Sequence, residues 1–152
     1  MKRAARRGLC ALGVCLGLCV GSGPSSAAQC TVSTTGLAFG AYAPLSTAPN
    51  DSNGSVRITC DEVTSYTISI VAGVSGSFDR AMASGTYRLS YNVFTEPNRA
   101  IVWGDGTGGS ARVVGSATSN IAATVPLYGR IPARQNVRAG SYADTLIVTV
   151  EY

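Results

Sequence analysis

Apolar and polar residues alternate with a period of two through much of the chain, in short bursts separated by turn-forming residues. Residues 55–61 place Val56, Ile58 and Cys60 on one side and Arg57 and Thr59 on the other. Residues 66–71 repeat the pattern, with Tyr66, Ile68 and Ile70 against Thr67, Ser69 and Val71. Residues 86–95 carry it through Tyr87, Leu89, Tyr91 and Val93, residues 123–131 form a further segment, and residues 144–152 end on Leu146, Val148, Val150 and Tyr152. Successive side chains of an extended strand point to opposite faces, so this period predicts strands with one face toward a core. Residues 30–42 are β-rich but broken by Gly36 and Gly40, and the short segment 100–103 stops at Gly104-Asp105-Gly106. Residues 43–54 read as a loop ending in the turn signal Asn53-Gly54. Further loops are expected at 74–85 and 106–119, with a turn over 132–141. Sustained helical periodicity is missing beyond the first 30 residues. Six or seven such segments predict an all-β antiparallel sandwich or barrel.

The N-terminal stretch follows another pattern. Met1 to Gly8 carries Lys2, Arg3, Arg6 and Arg7 and no acid, an apolar run follows over residues 9–21, and small residues fill 22–28. A basic head, a short apolar middle and a small-residue tail predict a secretory signal peptide over residues 1–28. Cleavage is expected after Ala28, or one residue earlier after Ala27, leaving a domain at 29–152. The apolar run falls short of the roughly 20 residues a helix needs to cross a bilayer, and no later run is longer. No membrane span is expected.

Removing the leader changes what the charge means. The whole chain is +4, from 12 basic and 8 acidic residues. Four of the basic residues lie in the leader, so eight arginines face eight acids in the rest. A formally neutral domain without lysine gives nucleic acid no electrostatic footing. Cys10, Cys15 and Cys19 also belong to the leader, and none follows the small residue that lipoprotein processing favours. Cys30 and Cys60 remain, and in an exported chain they are expected to form one disulfide. Closing that loop stabilises by about 3.6 kcal/mol in the chain-entropy model.

Catalysis finds little footing. With neither His nor Lys after residue 28, a serine lacks its usual general base and a two-cysteine metal site lacks further ligands. The carboxylates fall mostly at turns, where Asp is favoured for backbone reasons. The run Trp103-Gly104-Asp105-Gly106-Thr107-Gly108-Gly109 lacks the Lys-Ser/Thr ending of a phosphate loop. No enzyme activity, metal or cofactor is expected. Arg80 and Arg130 are expected to pair with acids such as Asp79 or Asp144.

Several segments together, in order, resemble the spore coat protein U domain family, found in subunits of archaic chaperone–usher pili and in some secreted coat proteins. They are Cys30-Thr31-Val32, Phe39-Gly40-Ala41-Tyr42, the strand ending at Cys60, Arg80-Ala81-Met82, Leu89-Ser90-Tyr91-Asn92 and Trp103-Gly104-Asp105-Gly106. Tyr128-Gly129-Arg130-Ile131-Pro132 and the run from Gly140 to Thr145 complete the set. The resemblance implies an immunoglobulin-like antiparallel β-sandwich, incomplete because it lacks its final strand, with the disulfide tying the first strand to the second. It implies partners too: a periplasmic chaperone, an usher and a neighbouring pilus subunit, the last contributing a strand to the groove. Leu146, Val148, Val150 and Tyr152 would line that groove. About five inserted apolar side chains, at roughly 1.5–3 kcal/mol each, supply on the order of 10 kcal/mol before ordering costs. With cleavage after Ala28 only Gln29 precedes Cys30, so the expectation is a subunit that accepts a strand without donating one, at the end of a fibre. The alternative is a secreted coat protein, or an adhesin that binds a surface through its loops. Val74 and Phe78 are the candidate surface contacts.

Overall fold

The structure is a computed structural model and describes residues 27–73 and 75–152. The expected leader lies almost wholly outside the described residues, as does Val74. Nine strands form among the described residues, in the order β1 (Cys30–Thr35), β2 (Asn50–Cys60), β3 (Thr64–Ile70), β4 (Ala81–Ser84), β5 (Tyr87–Ser90), β6 (Asn92–Phe94), β7 (Val113–Ala117), β8 (Ala123–Ile131) and β9 (Val148–Glu151). One sheet runs β1-β2-β8-β6, a second runs β7-β3-β9, and β4 with β5 makes a hairpin. Every ladder is antiparallel. The fold is an all-β, immunoglobulin-like sandwich.

The alternation explains the packing. Val56 and Ile58 of β2, Leu127 and Ile131 of β8 and Val93 of β6 are buried, and so are Tyr66, Ile68 and Ile70 of β3. Each strand thus gives every second side chain to a shared core. Trp103 is fully buried, and its indole Nε1 donates to the carbonyl of Ile68 at 3.2 Å, satisfying the one polar atom such a ring carries inward. Cys30 and Cys60 stand opposite each other in the β1–β2 ladder and are joined as a disulfide, with Cα atoms 4.1 Å apart.

Four expectations are corrected. Asn53-Gly54 is not a turn but lies inside β2, opposite Tyr128 and Leu127. A Cβ at residue 54 would sit 2.4 Å from the carbonyl oxygen of Thr35, so the glycine serves close backbone approach. The loops expected at 74–85 and 106–119 contain β4 and β7. The strand expected over 86–95 is two strands, because β5 pairs with β4 while β6 pairs with β8. The final strand is laddered only over β9, while upstream Ala83 and Ala143 exchange hydrogen bonds of 2.8 and 3.1 Å. That segment passes from β4 to β3 as neighbour, yet its side chains alternate between half-buried and exposed from Tyr142 to Val150.

Candidate functional site

Two sheet edges define the site. Among the described residues β1 pairs only with β2, and β9 pairs only with β3. The phase of each ladder shows where the free backbone groups point. The Asp61 amide donates to the Gln29 carbonyl at 3.1 Å, and the Val71 amide donates to the Ile147 carbonyl at 3.1 Å. In an antiparallel ladder, hydrogen-bonded and non-hydrogen-bonded pairs alternate. The backbone groups of Val32 and Thr34 therefore point away from β2, and those of Val148 and Val150 point away from β3. Val32 lies on the core face opposite buried Ile58 yet is 43% exposed.

An apolar trough lies between these edges. Its narrow part, about 330 Å³, has Val56, Ile70 and Leu127 at its base, with Leu37 on one wall and Leu146 and Val148 on the other. Its wide part, about 720 Å³, runs between residues 37–44 and 137–142 over Met82, Leu89 and Ile131. Both parts touch Leu37, Phe39, Met82 and Tyr142, so they are continuous. Gly129 makes room for one wall: a Cβ there would lie 2.6 Å from Leu37 and 2.8 Å from Phe39. Phe39 meets Tyr91 edge-on with ring centroids 5.9 Å apart. The Tyr42 hydroxyl donates to the Pro132 carbonyl at 2.9 Å and accepts from the Gln135 amide at 2.8 Å, holding residues 37–44 to the chain after β8.

One polar group interrupts the apolar row of the last segment. Asp144 lines the narrow part and accepts a 2.7 Å hydrogen bond from the Tyr91 hydroxyl. Burial first, and the Asp144 carboxylate second, push the Tyr91 phenol well above its ordinary range. Beneath it Arg80 is 1% exposed. Its guanidinium donates to the carbonyls of Val71 (2.8 Å) and Trp103 (2.9 Å) and to Asn92 Oδ1 (2.9 Å). Burial pulls the Arg80 pKa down, opposed by Tyr91 and Asp144. Arg80 is hydrogen-bonded by main-chain oxygens and Asn92 while the Asp144 charge acts on it; for Arg130 the expected acid is corrected, since it pairs with its cross-strand neighbour Asp51 at 2.7 Å. Arg99 joins the same carboxylate at 3.3 Å.

Of the residues expected to line a groove, Leu146 and Val148 are in its wall. Val150 is half-buried against the core further along β9, and Tyr152 lies beyond β9, 57% exposed. Phe78 is half-buried: the Arg80 guanidinium lies 5.2 Å from its ring centroid, and a Cβ on Gly104 would meet it at 2.6 Å. Val74 is outside the described residues. Leu37, Phe39, Tyr42 and Tyr142 were missed. Tyr142 was findable by running the alternation of Leu146 and Val148 back past Asp144. The first three sit in a segment whose glycines obscure its period.

The class these features define is an immunoglobulin-like β-sandwich with a cross-strand disulfide and an open seam between its first and last strands. The chain belongs to the Spore Coat Protein U domain family, whose sequence profile matches residues 18–149. It is 33% identical over 70 residues to Protein U of Myxococcus xanthus, a match covering 46% of this chain and 37% of that protein. It also superposes, with a TM-score of 0.61 and 26% identity, on a chain in the crystal structure of the CsuC–CsuE chaperone–tip adhesion subunit pre-assembly complex from archaic chaperone–usher Csu pili of Acinetobacter baumannii. That match covers 83% of this chain and 40% of the other. The chain thus spans about two fifths of the length of both relatives.

Proposed function

We propose that the protein is a structural subunit of a chaperone–usher surface pilus, completed by a β-strand that a partner inserts between β1 and β9. The observation that carries this is the pairing of two unpartnered sheet edges with an apolar trough between them. A strand laid there meets outward amides and carbonyls on both sides and places alternate side chains over Val56, Ile70 and Leu127. Main-chain bonds then give affinity and the side-chain row gives register. The strand comes first from a periplasmic chaperone and then, at the usher, from a neighbouring subunit. The protein is exported through the periplasm and displayed at the cell surface, and its role there is structural rather than enzymatic. Likeness to a complex holding a tip adhesion subunit supports a place at the fibre tip.

The deciding experiment adds a synthetic peptide, copied from the segment before the first cysteine of a companion subunit, to the purified protein and follows thermal unfolding. The expected result is slow-dissociating binding that raises the midpoint by on the order of 10 °C or more. A protein stable by itself, with a midpoint the peptide leaves unchanged, overturns the reading.

Likeness to Protein U supports a second reading, a secreted coat or surface-binding protein outside any fibre. Surface contact through Val74 and Phe78 belongs to it. Replacing Val74 with Ser should then reduce attachment of cells to an apolar surface while leaving assembly intact, and unchanged attachment excludes that contact.

A further inference from the structure

The two ends of the trough differ in charge. Sequence positions 80–95 and 106–143 contain six arginines and no Asp or Glu. These stretches supply β4, β5 and the segment after β8, which together bound the wide end. Four of the arginines, Arg88, Arg112, Arg134 and Arg138, are exposed; Arg88, Arg134 and Arg138 belong to β5 and the segment after β8, and Arg138 lines the wide cavity. None of the three lies within ion-pair distance of a carboxylate among the described residues. The carboxylate on the neighbouring part of β2, Asp51, is already held by Arg130 and Arg99. The opposite wall, residues 37–44, is uncharged.

Arg138 is also held in place. Its Nη1 donates to the Tyr87 hydroxyl at 2.8 Å, and its guanidinium lies 5.3 Å from that ring's centroid. The Tyr142 hydroxyl donates to the Arg138 carbonyl at 2.9 Å. Arg88 curls onto the carbonyls of Gly85 (2.8 Å) and Tyr87 (3.0 Å), on the same hairpin as the Tyr87 that Arg138 contacts. A guanidinium has five N–H donors in a fixed fork, so Arg138 keeps donors for an incoming carboxylate. The narrow part has the opposite character, because the charged residue in its lining is Asp144. An acid on an inserted strand is opposed there and favoured at the wide end.

We propose that the inserted strand carries an acidic residue at the end lying over the wide part of the trough, and that Arg138, supported by Arg88 and Arg134, recognises it and fixes the strand's direction and register. This rests on the strand-accepting reading above. It adds a chemical class of partner: an alternating apolar strand, neutral where it passes Asp144 and anionic at one end.

The test uses the full exported chain and synthetic strands of about twelve residues, at roughly 3.3 Å per residue. All alternate Val with Thr and carry a Glu pair, a Lys pair or no charge at either the N- or the C-terminal end. In one of the two orientations the Glu-ended strand should bind about three- to tenfold tighter than its Lys-ended counterpart at low ionic strength, with the gap closing near 1 M salt. Arg138→Glu should reverse that preference, so that the Lys-ended strand binds tighter than the Glu-ended one. Equal affinity of Glu- and Lys-ended strands in both orientations, with the neutral strand still bound, overturns the acid recognition and leaves the groove standing. Failure of every strand to bind removes both. Polyglutamate that binds equally well when the neutral strand already fills the groove assigns the arginines to a surface polyanion site and likewise overturns the proposal.

Discussion

The sandwich has two seams where its sheets meet, and they are finished in opposite ways. At one, Trp103 sits fully buried, and its indole donates to the carbonyl of Ile68. At the other, β1 and β9 face each other across a trough of about 330 Å³, with outward backbone groups and half-buried Leu146 and Val148. Polar satisfaction marks the difference. A buried group left without a hydrogen bond costs about 1–3 kcal/mol, and the closed seam leaves none among the described side chains. The open seam leaves its backbone groups to water or to a partner. A chain that seals one seam this thoroughly has the means to seal the other. On the proposed reading its open edge is where a partner strand binds.

Removing Trp103 should have the largest effect. Trp103→Ala should cost about 3–5 kcal/mol by emptying the closed seam, read as a lower urea midpoint with or without a bound strand. A loss that the bound strand rescues in full would erase the distinction between the seams. Next comes the disulfide, which anchors β1 across a loop with a sequence separation of 30. Cys30→Ser together with Cys60→Ser should cost about 3.6 kcal/mol and should weaken strand binding as well, because β1 forms one wall of the trough. The third is specific to the open seam: Leu146→Ser should leave the unliganded domain nearly unchanged and cost about 1.5–3 kcal/mol of strand affinity, measured by titration. Equal losses in both states would make Leu146 an ordinary core residue.

The smallest effect lies away from both seams. Arg130 and Arg99 hold the Asp51 carboxyl below its ordinary range, the Arg130 hydrogen bond contributing most. A carboxyl depressed on folding stabilises above its unfolded pKa of about 3.9 and loses that contribution as pH falls through its folded value. Asp51 is part-exposed, so Asp51→Asn should cost no more than about 1 kcal/mol at neutral pH. The difference between mutant and parent should shrink as pH falls below about 3.9, as urea midpoints at neutral and acidic pH would show.

Periodicity made the core legible, and the same cue concealed which strand pairs with which. β8 spans residues 123–131, as its alternation indicates, and the inward row of β3 is Tyr66, Ile68 and Ile70. Pairing partners left no trace in the pattern. Tyr91 keeps the alternation between β5 and β6 while the chain changes neighbours around it. Asn53-Gly54 carries a strong local turn signal that the β2–β8 ladder overrides. One wall of the trough was legible, because Leu146 and Val148 alternate on the last segment. The other wall was hidden because Leu37 and Phe39 take their places from the missing side chain of Gly129, more than eighty residues away in the chain. Arg80 was noticed, but its role was not, since most of its hydrogen bonds go to main-chain oxygens, which carry no residue identity.

Amide hydrogen exchange at Val32, Thr34, Val148 and Val150, with and without a bound partner strand, tests the open seam most directly. In the unliganded protein these four amides should exchange like loop amides, while Ile58 and Ile68 stay protected. Strand binding should slow all four by about a hundredfold or more. Protection already present in the unliganded protein, or exchange unchanged on binding, would contradict the claim that β1 and β9 wait for a strand between them.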